Sequence, residues 1–248
     1  MGVIHITELI KTFLIGIFFG TFGTTIGGLI GVNLKSNSNK FLGFILSFAS
    51  GLMMAIICFD LLPEAMEIAS LAVILLGILL GILTMIICDT LVKEKFSNKK
   101  EMNSLLRTGI IISIGLALHN IPEGLAIGTG FQASINLGLS LAIVIAIHDV
   151  PEGISMAVPM KKGGMSKGKV IFYVIMSGIS TGIGALVGHL VGGISESIIA
   201  ASLSFAAGAM LYIVSGELTP EATNMYKGRM NAIGNILGFI LGIIAISI

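Results

Sequence analysis

Charge is what this sequence has least of. Only 11% of its 248 residues are Asp, Glu, Lys or Arg, against about 25% in ordinary soluble domains. A chain so poor in charge cannot clothe a water-facing surface, which excludes a soluble globule. Fourteen Lys and Arg against thirteen Asp and Glu leave a net charge of +1, so nothing in the balance points to nucleic acid or an acidic partner. Tryptophan is missing, and the aromatic belt that often marks membrane interfaces is thin. The two cysteines, Cys58 and Cys88, lie in apolar stretches, so a secreted disulfide framework is not indicated. No G-x-x-x-x-G-K-[ST] loop occurs and no soluble stretch could house a nucleotide-binding domain, which excludes an ATP-driven pump in this chain alone.

Long hydrophobic runs fill the sequence instead. Apolar residues make up 55% of it and the mean hydropathy is +1.04. A bilayer core about 30 Å thick needs about 20 apolar residues per helix. Eight segments qualify, at about 9–33, 41–62, 69–92, 108–131, 137–160, 170–193, 199–219 and 230–248. None shows the alternation of a barrel strand, and an open sheet leaves its backbone unsatisfied in lipid. The expected fold is an all-α membrane protein with eight transmembrane helices. The first segment is too long for a signal-peptide core, contains Lys11 and lacks a small-residue cleavage site, so it reads as a retained helix.

Basic residues orient the bundle. Lys35, Lys40, Lys93, Lys95, Lys99, Lys100, Arg107, Lys161, Lys162, Lys167, Lys169, Lys227 and Arg229 all fall in connections one–two, three–four, five–six and seven–eight. The alternate connections hold none, and only Lys11 remains. Positive charge collects on the cytoplasmic side, so both termini are expected outside the cytoplasm.

The sequence also repeats itself. At an offset of 157, Leu46–Ala65 aligns without a gap to Leu203–Ala222, and Pro63-Glu64-Ala65 returns as Pro220-Glu221-Ala222. The same offset pairs Thr24, Gly27 and Gly31 with Thr181, Gly184 and Gly188, and Gly77 and Gly81 with Gly234 and Gly238. Helices one to three therefore recur as six to eight. Five helices separate the two starts, so the copies run in opposite directions, an arrangement common in secondary transporters. The chain reads as one transmembrane domain over 1–248, with repeat one at about 1–92, central helices at 108–160 and repeat two at about 166–248.

The central helices carry the chemistry. One reads His119-Asn120-Ile121-Pro122-Glu123-Gly124 and the next His148-Asp149-Val150-Pro151-Glu152-Gly153. Positions i, i+1 and i+4 span about 100° of a helix, so His119, Asn120 and Glu123 share one face, as do His148, Asp149 and Glu152. Each proline removes an N–H and crowds the carbonyl four residues back, so kinks are expected at Leu118 and Ile147. Ionisable groups inside a membrane are costly without partners. Two imidazoles, three carboxylates and an amide form a nitrogen and oxygen ligand set for a divalent cation. The alternative is a buried hydrogen-bonded network that locks two helices. Three carboxylates with at most two imidazolium partners leave negative charge, which a metal ion neutralises better.

The paired H-N-x-P-E-G and H-D-x-P-E-G motifs resemble the signature of the ZIP (Zrt/Irt-like) family of divalent-metal transporters. The likeness covers essentially the whole chain. It implies one metal position held by His119, Glu123, His148 and Glu152, with Met53 as a further ligand. It implies a second held by Asn120 and Asp149, with Glu123 and Glu152 bridging. Many members add a Glu from helix six, where this sequence has Thr181 in Ser177-Gly178-Ile179-Ser180-Thr181-Gly182. The His-rich loop common between helices three and four is also absent, since 93–107 holds no His.

The repeat makes Asp60 the counterpart of Glu217 and Glu64 that of Glu221, near opposite mouths of the bundle. Carboxylates there gather cations. Asp60 and Glu217 lie deeper and read as pathway residues, whereas Glu64 and Glu221 fit either that role or interfacial solvation. His189 reads as a structural hydrogen-bonder, Cys58 and Cys88 as small buried residues, and Asp89 as an acid facing headgroups.

The expected function is uptake of divalent transition-metal ions, zinc first and iron, manganese, cobalt or cadmium as further substrates, into a bacterial cytoplasm. The chain is expected to be no enzyme and to need no cofactor. Its partners are the metal ion and the lipid bilayer, and a homodimer is the candidate assembly. Two rival readings are a membrane di-metal oxidoreductase and a metal-binding sensor without transport. Di-iron bundles favour Glu-x-x-His pairs on several helices, and here the order is His-x-x-x-Glu on only two.

Overall fold

A computed structural model describes residues 2–34, 38–97 and 104–247. Lys35, Lys99 and Lys100 lie outside the described residues, as do the side chains of His5, Lys93, Lys95, Arg107 and His119. Among the described residues the chain is helical, with no strand. Its rods are α1 (Gly2–Asn33), α2 (Asn39–Ile68), α3 (Leu71–Ser97), α4 (Ser104–Ala133), α5 (Ile135–Lys162), α6 (Lys167–Gly192), α7 (Glu196–Met225) and α8 (Arg229–Ile246). Seven of them, all but α4, contain described stretches long and apolar enough to cross a membrane. Helices are required there because hydrocarbon offers no partner for a free N–H or C=O.

Most of these rods extend beyond the hydrophobic segments that mark them. Apolar windows end where polar side chains begin, but the backbone ladder continues into the interfacial residues. The largest correction concerns the expected ends of the second and seventh segments. The apolar segments stop at about 62 and 219, yet α2 and α7 pass through Pro63 and Pro220 to Ile68 and Met225. Just before each proline the helix widens into a π turn, Ile57–Leu61 and Val214–Leu218. Leu62 donates to the Ile57 carbonyl and Thr219 to the Val214 carbonyl, five residues back rather than four. The wider turn makes room for a ring that would otherwise press on the carbonyl of Phe59 or Gly216.

Pro122 and Pro151, by contrast, sit inside α4 and α5 with both helices continuous. The carbonyls beside them face glycines of neighbouring helices. Gly27 on α1 approaches the Val150 carbonyl, and Gly184 on α6 approaches that of Ile121. A Cβ at either glycine would collide with that oxygen, so these two positions require glycine. Small residues permit such close packing of membrane helices.

Packing divides the helices into two groups. Helices α1, α4, α5 and α6 pack on one another as a four-helix bundle. The others form a row in the order α8, α2, α7, α3. The groups meet where α5 lies on α2 and α4 lies on α7. The main apolar core fills part of that seam, with Leu52, Met53, Ile56 and Leu61 of α2, Ile127 of α4, Leu141 and Ile145 of α5, and Leu203 and Met210 of α7. Helix α5 is the innermost, with 83% of its most apolar stretch buried against 17% for α8.

Contacts between helix ends bring several connections to one end of the bundle. Lys167 Nζ donates to Asn33 Oδ1 at 2.7 Å, joining the start of α6 to the end of α1. Lys40 stands 6.0 Å from the Tyr226 ring, joining the start of α2 to the end of α7. At the opposite end Thr12 of α1 hydrogen-bonds His189 Nδ1 of α6 at 3.0 Å.

Candidate metal centre

Glu123 of α4 and His148 of α5 face each other across the α4–α5 contact, inside the first bundle. His148 Nε2 lies 2.7 Å from Glu123 Oε1 across that contact. On its own helix it lies 3.5 Å from Asp149 Oδ1 and 3.8 Å from Glu152 Oε1. All four residues are fully buried. Ligand atoms of Glu123, His148 and Asp149 lie within 4.8 Å of one another. Three carboxylates keep a negative excess even if both imidazoles of the motif pair, His119 and His148, are protonated. Burying such charge without compensation is costly, and a divalent cation bound by oxygen and nitrogen offsets it.

The neighbouring helices brace the cluster. Asn120, also fully buried, donates from Nδ2 to the Ser177 carbonyl of α6 at 3.0 Å. Its Oδ1 has no hydrogen-bond partner among the described residues. Gly23 of α1 packs on Asp149, where an added methyl would come within 2.7 Å of the Asp149 Cβ. Ser155 returns its hydroxyl to the Glu152 carbonyl at 2.8 Å. Sequence reading gave no role to Ser177 or Gly23, because their part depends on helix crossings that periodicity does not record.

The structure thus brings Glu123, His148, Asp149 and Glu152 to one locus, with Asn120 three residues before Glu123 on α4. The His119 side chain is outside the described residues. Met53 is fully buried in the main apolar core, as is its counterpart Met210. Thr181 is fully buried between Gly20 of α1 and Gly124 of α4, and its Oγ1 has no hydrogen-bond partner among the described residues. Asp60 is buried in the π turn of α2, while Glu64, Glu217 and Glu221 are half-buried on α2 and α7. Asp89 accepts a hydrogen bond from the Tyr212 hydroxyl at 3.1 Å, which ties α3 to α7. Cys58 is exposed rather than buried and Cys88 is half-buried. Cys58 sits on the outward side of its turn, and apolar character does not distinguish a lipid-facing residue from a core one.

Together the rods and the cluster define a multi-pass membrane protein with cation-binding chemistry buried at its centre. The chain belongs to the ZIP family: a family model described as ZIP zinc transporter matches residues 93–248. Proteins called zinc transporter ZupT from Salmonella heidelberg, Salmonella paratyphi A and Salmonella newport are each 31% identical over 226 residues, spanning 87% of this chain and 88% of theirs. It is therefore a transporter rather than an enzyme, and the oxidoreductase alternative is set aside.

Proposed function

We propose that this chain moves divalent transition-metal ions, zinc first, across the cytoplasmic membrane of a bacterium into the cell. The observation that carries the reading is the buried cluster of Glu123, His148 and Asp149, with ligand atoms within 4.8 Å of one another. Zinc is favoured because the relatives are called zinc transporters and because imidazole and carboxylate suit it. Iron, manganese, cobalt and cadmium accept the same ligands. His119, Glu123, His148 and Glu152 hold one ion, with Met53 as a further ligand, and Asn120 and Asp149 form the start of a second position. Thr181 stands where a further carboxylate would complete that position. Asp60, Glu64, Glu217 and Glu221 line the approach and the exit.

The chain is one domain of eight spans, α4 included, with both termini outside. Contacts between basic helix ends, Lys167 with Asn33 and Lys40 with Tyr226, support that topology. The inverted repeat is supported by π turns at matching positions, 57–61 and 214–218. It is supported too by swapped pairings, α2 with α8 against α7 with α3. On this topology the apolar core seals the outer half of the seam between the two groups. A small crevice between α2 and α5, lined by Leu46, Ser155 and Val158, lies toward the inner half. Movement of the ion bundle relative to the row exchanges that seal between sides. Two charges moving through an inside-negative potential of 100 mV gain about 4.6 kcal/mol, which drives uptake.

Purified protein in liposomes should take up zinc, and Glu123→Ala or His148→Ala should reduce flux by more than about 100-fold, beyond the losses usual for residues that only support a ligand. Unchanged flux in both variants sinks the proposal. Protons compete for imidazole and carboxylate, so zinc affinity should fall with pH, by about tenfold per unit for each proton released. Calorimetry between pH 7.5 and 5.5, on the order of two units, checks the sign, and tighter binding in acid contradicts it.

A further inference from the structure

A groove of about 530 Å³ opens on the outside of the protein where α1, α2 and α5 meet. Phe19 and Phe22 of α1, Phe44 and Phe48 of α2, and Ile147 and Pro151 of α5 form its walls. The volume is that of a small-molecule site, yet every lining side chain is a hydrocarbon, so neither a metal ion nor a peptide backbone finds a partner in it. The groove also continues the bilayer-facing surface. Leu14, Phe18 and Phe22 form an exposed stripe down α1 at four-residue spacing, and Phe18 and Phe22 stack with ring centroids 5.6 Å apart. That stripe runs directly into the groove.

We propose that this groove is a binding site for one acyl chain of a phospholipid. Its position gives the occupant a consequence. Ile147 and Pro151 belong to the turn of α5 whose other face carries His148, Asp149 and Glu152. Two of the walls come from the ion bundle and the third from the row of α8, α2, α7 and α3. A chain seated here rests against the back of the metal helix and fills the seam that any sliding of the groups must reshape. The assignment deepens the proposed function but stands on the membrane surface alone, and its test does not use metal flux.

The test is photo-crosslinking of the full chain in nanodiscs of phosphatidylcholine bearing a diazirine at one acyl terminus. Adducts are mapped by mass spectrometry. Groove residues should carry roughly fivefold more adduct than the open lipid face of α3 at Leu75, Leu76 and Leu79, because a concave site holds its ligand longer than a flat one. Ile143→Trp, which fills the groove, should remove that excess and leave the α3 adducts unchanged. Phe48→Ala, which opens a wall, gives an independent check if the tryptophan variant fails to fold, and should lower the excess as well. Even labelling of groove and α3, or an excess that both variants leave intact, overturns the proposal. Because the metal reading is judged by flux through Glu123 and His148 variants, the two can fail separately.

Discussion

Helices α2 and α7 break their hydrogen-bond ladders in the same way at the same spacing, but the surroundings of the two breaks differ. Around α7 they are polar. Ser50 and Thr219 share a hydrogen bond at 2.9 Å, Asn235 donates to the Ser47 carbonyl at 3.4 Å, and Asn231 donates to the carbonyls of Ala222 and Tyr226 at 2.8 and 2.7 Å. At positions 157 earlier, Thr219, Asn235 and Asn231 become Leu62, Ile78 and Ile74. Ile74 is buried in the apolar core and Ile78 packs on Gly208. One backbone device therefore serves a dry environment and a polar one, and four side chains account for the contrast, since Ser50 is matched by Ala207 at the same offset. On the proposed topology the dry break lies at the outer end and the polar one at the inner, as expected of a protein closed to the outside.

Exchanging those side chains is the strongest way to break the comparison. Ile74→Asn removes packed hydrocarbon and buries an amide among apolar neighbours. It should cost about 3–5 kcal/mol of stability. The reverse change, Asn231→Ile, deprives two carbonyls of a donor but leaves them near the polar end, for about 1–3 kcal/mol. Unfolding of both variants in the same detergent measures the difference. Equal costs would mean that the two surroundings are not distinct.

The acids in the two turns sharpen the contrast further. Asp60 is buried and Glu217 half-buried, so an ion approaching Asp60 meets a charge less screened by water. Asp60→Asn should lower zinc flux at limiting metal about tenfold, and Glu217→Gln by less than about threefold. Initial rates over a range of zinc concentrations separate them. An equal or larger loss at Glu217 removes Asp60 as the more important pathway acid.

The sequence made the centre of the molecule more legible than its ends or its partition into two groups. His148, Glu123, Asp149 and Glu152 converge because an i, i+1, i+4 spacing allows few other outcomes once two such helices lie side by side. Ser177 escaped because a serine in an apolar helix has many uses, and only the crossing of α4 and α6 puts its carbonyl beside Asn120. The two groups of helices escaped for a related reason. Periodicity shows that a helix has a buried face but not which neighbour covers it. Gly27 and Gly184 carry that information, but only once the carbonyls of Val150 and Ile121 are seen against them. The second and seventh segments fell short because apolar windows stop at the Pro-Glu pairs, whereas a π turn lets each helix pass through its proline. The duplication of Pro-Glu-Ala was the one sequence sign that both prolines share a structural task.

That task yields the smallest expected effect and the finest test of the two turns. If the Pro63 ring opens the turn by pressing on the Phe59 carbonyl, Pro63→Ala supplies an N–H for that carbonyl and relieves the contact. The turn should then tighten toward α, giving up the bond from Leu62 to Ile57 and rotating Asp60 by up to about 100°. Stability should change by no more than about 1 kcal/mol, since a hydrogen bond is gained where strain is lost. Flux should fall about threefold, the share of the Asp60 effect that a misaimed carboxylate loses. Pro220→Ala should have less effect still, because Glu217 is only half-buried. Hydrogen exchange at Leu62 and Thr219 reports each turn directly. Unaltered exchange at both amides would show that packing against α8 and α3, rather than the prolines, holds the turns open, and the likeness of the two helices would then be a property of their neighbours.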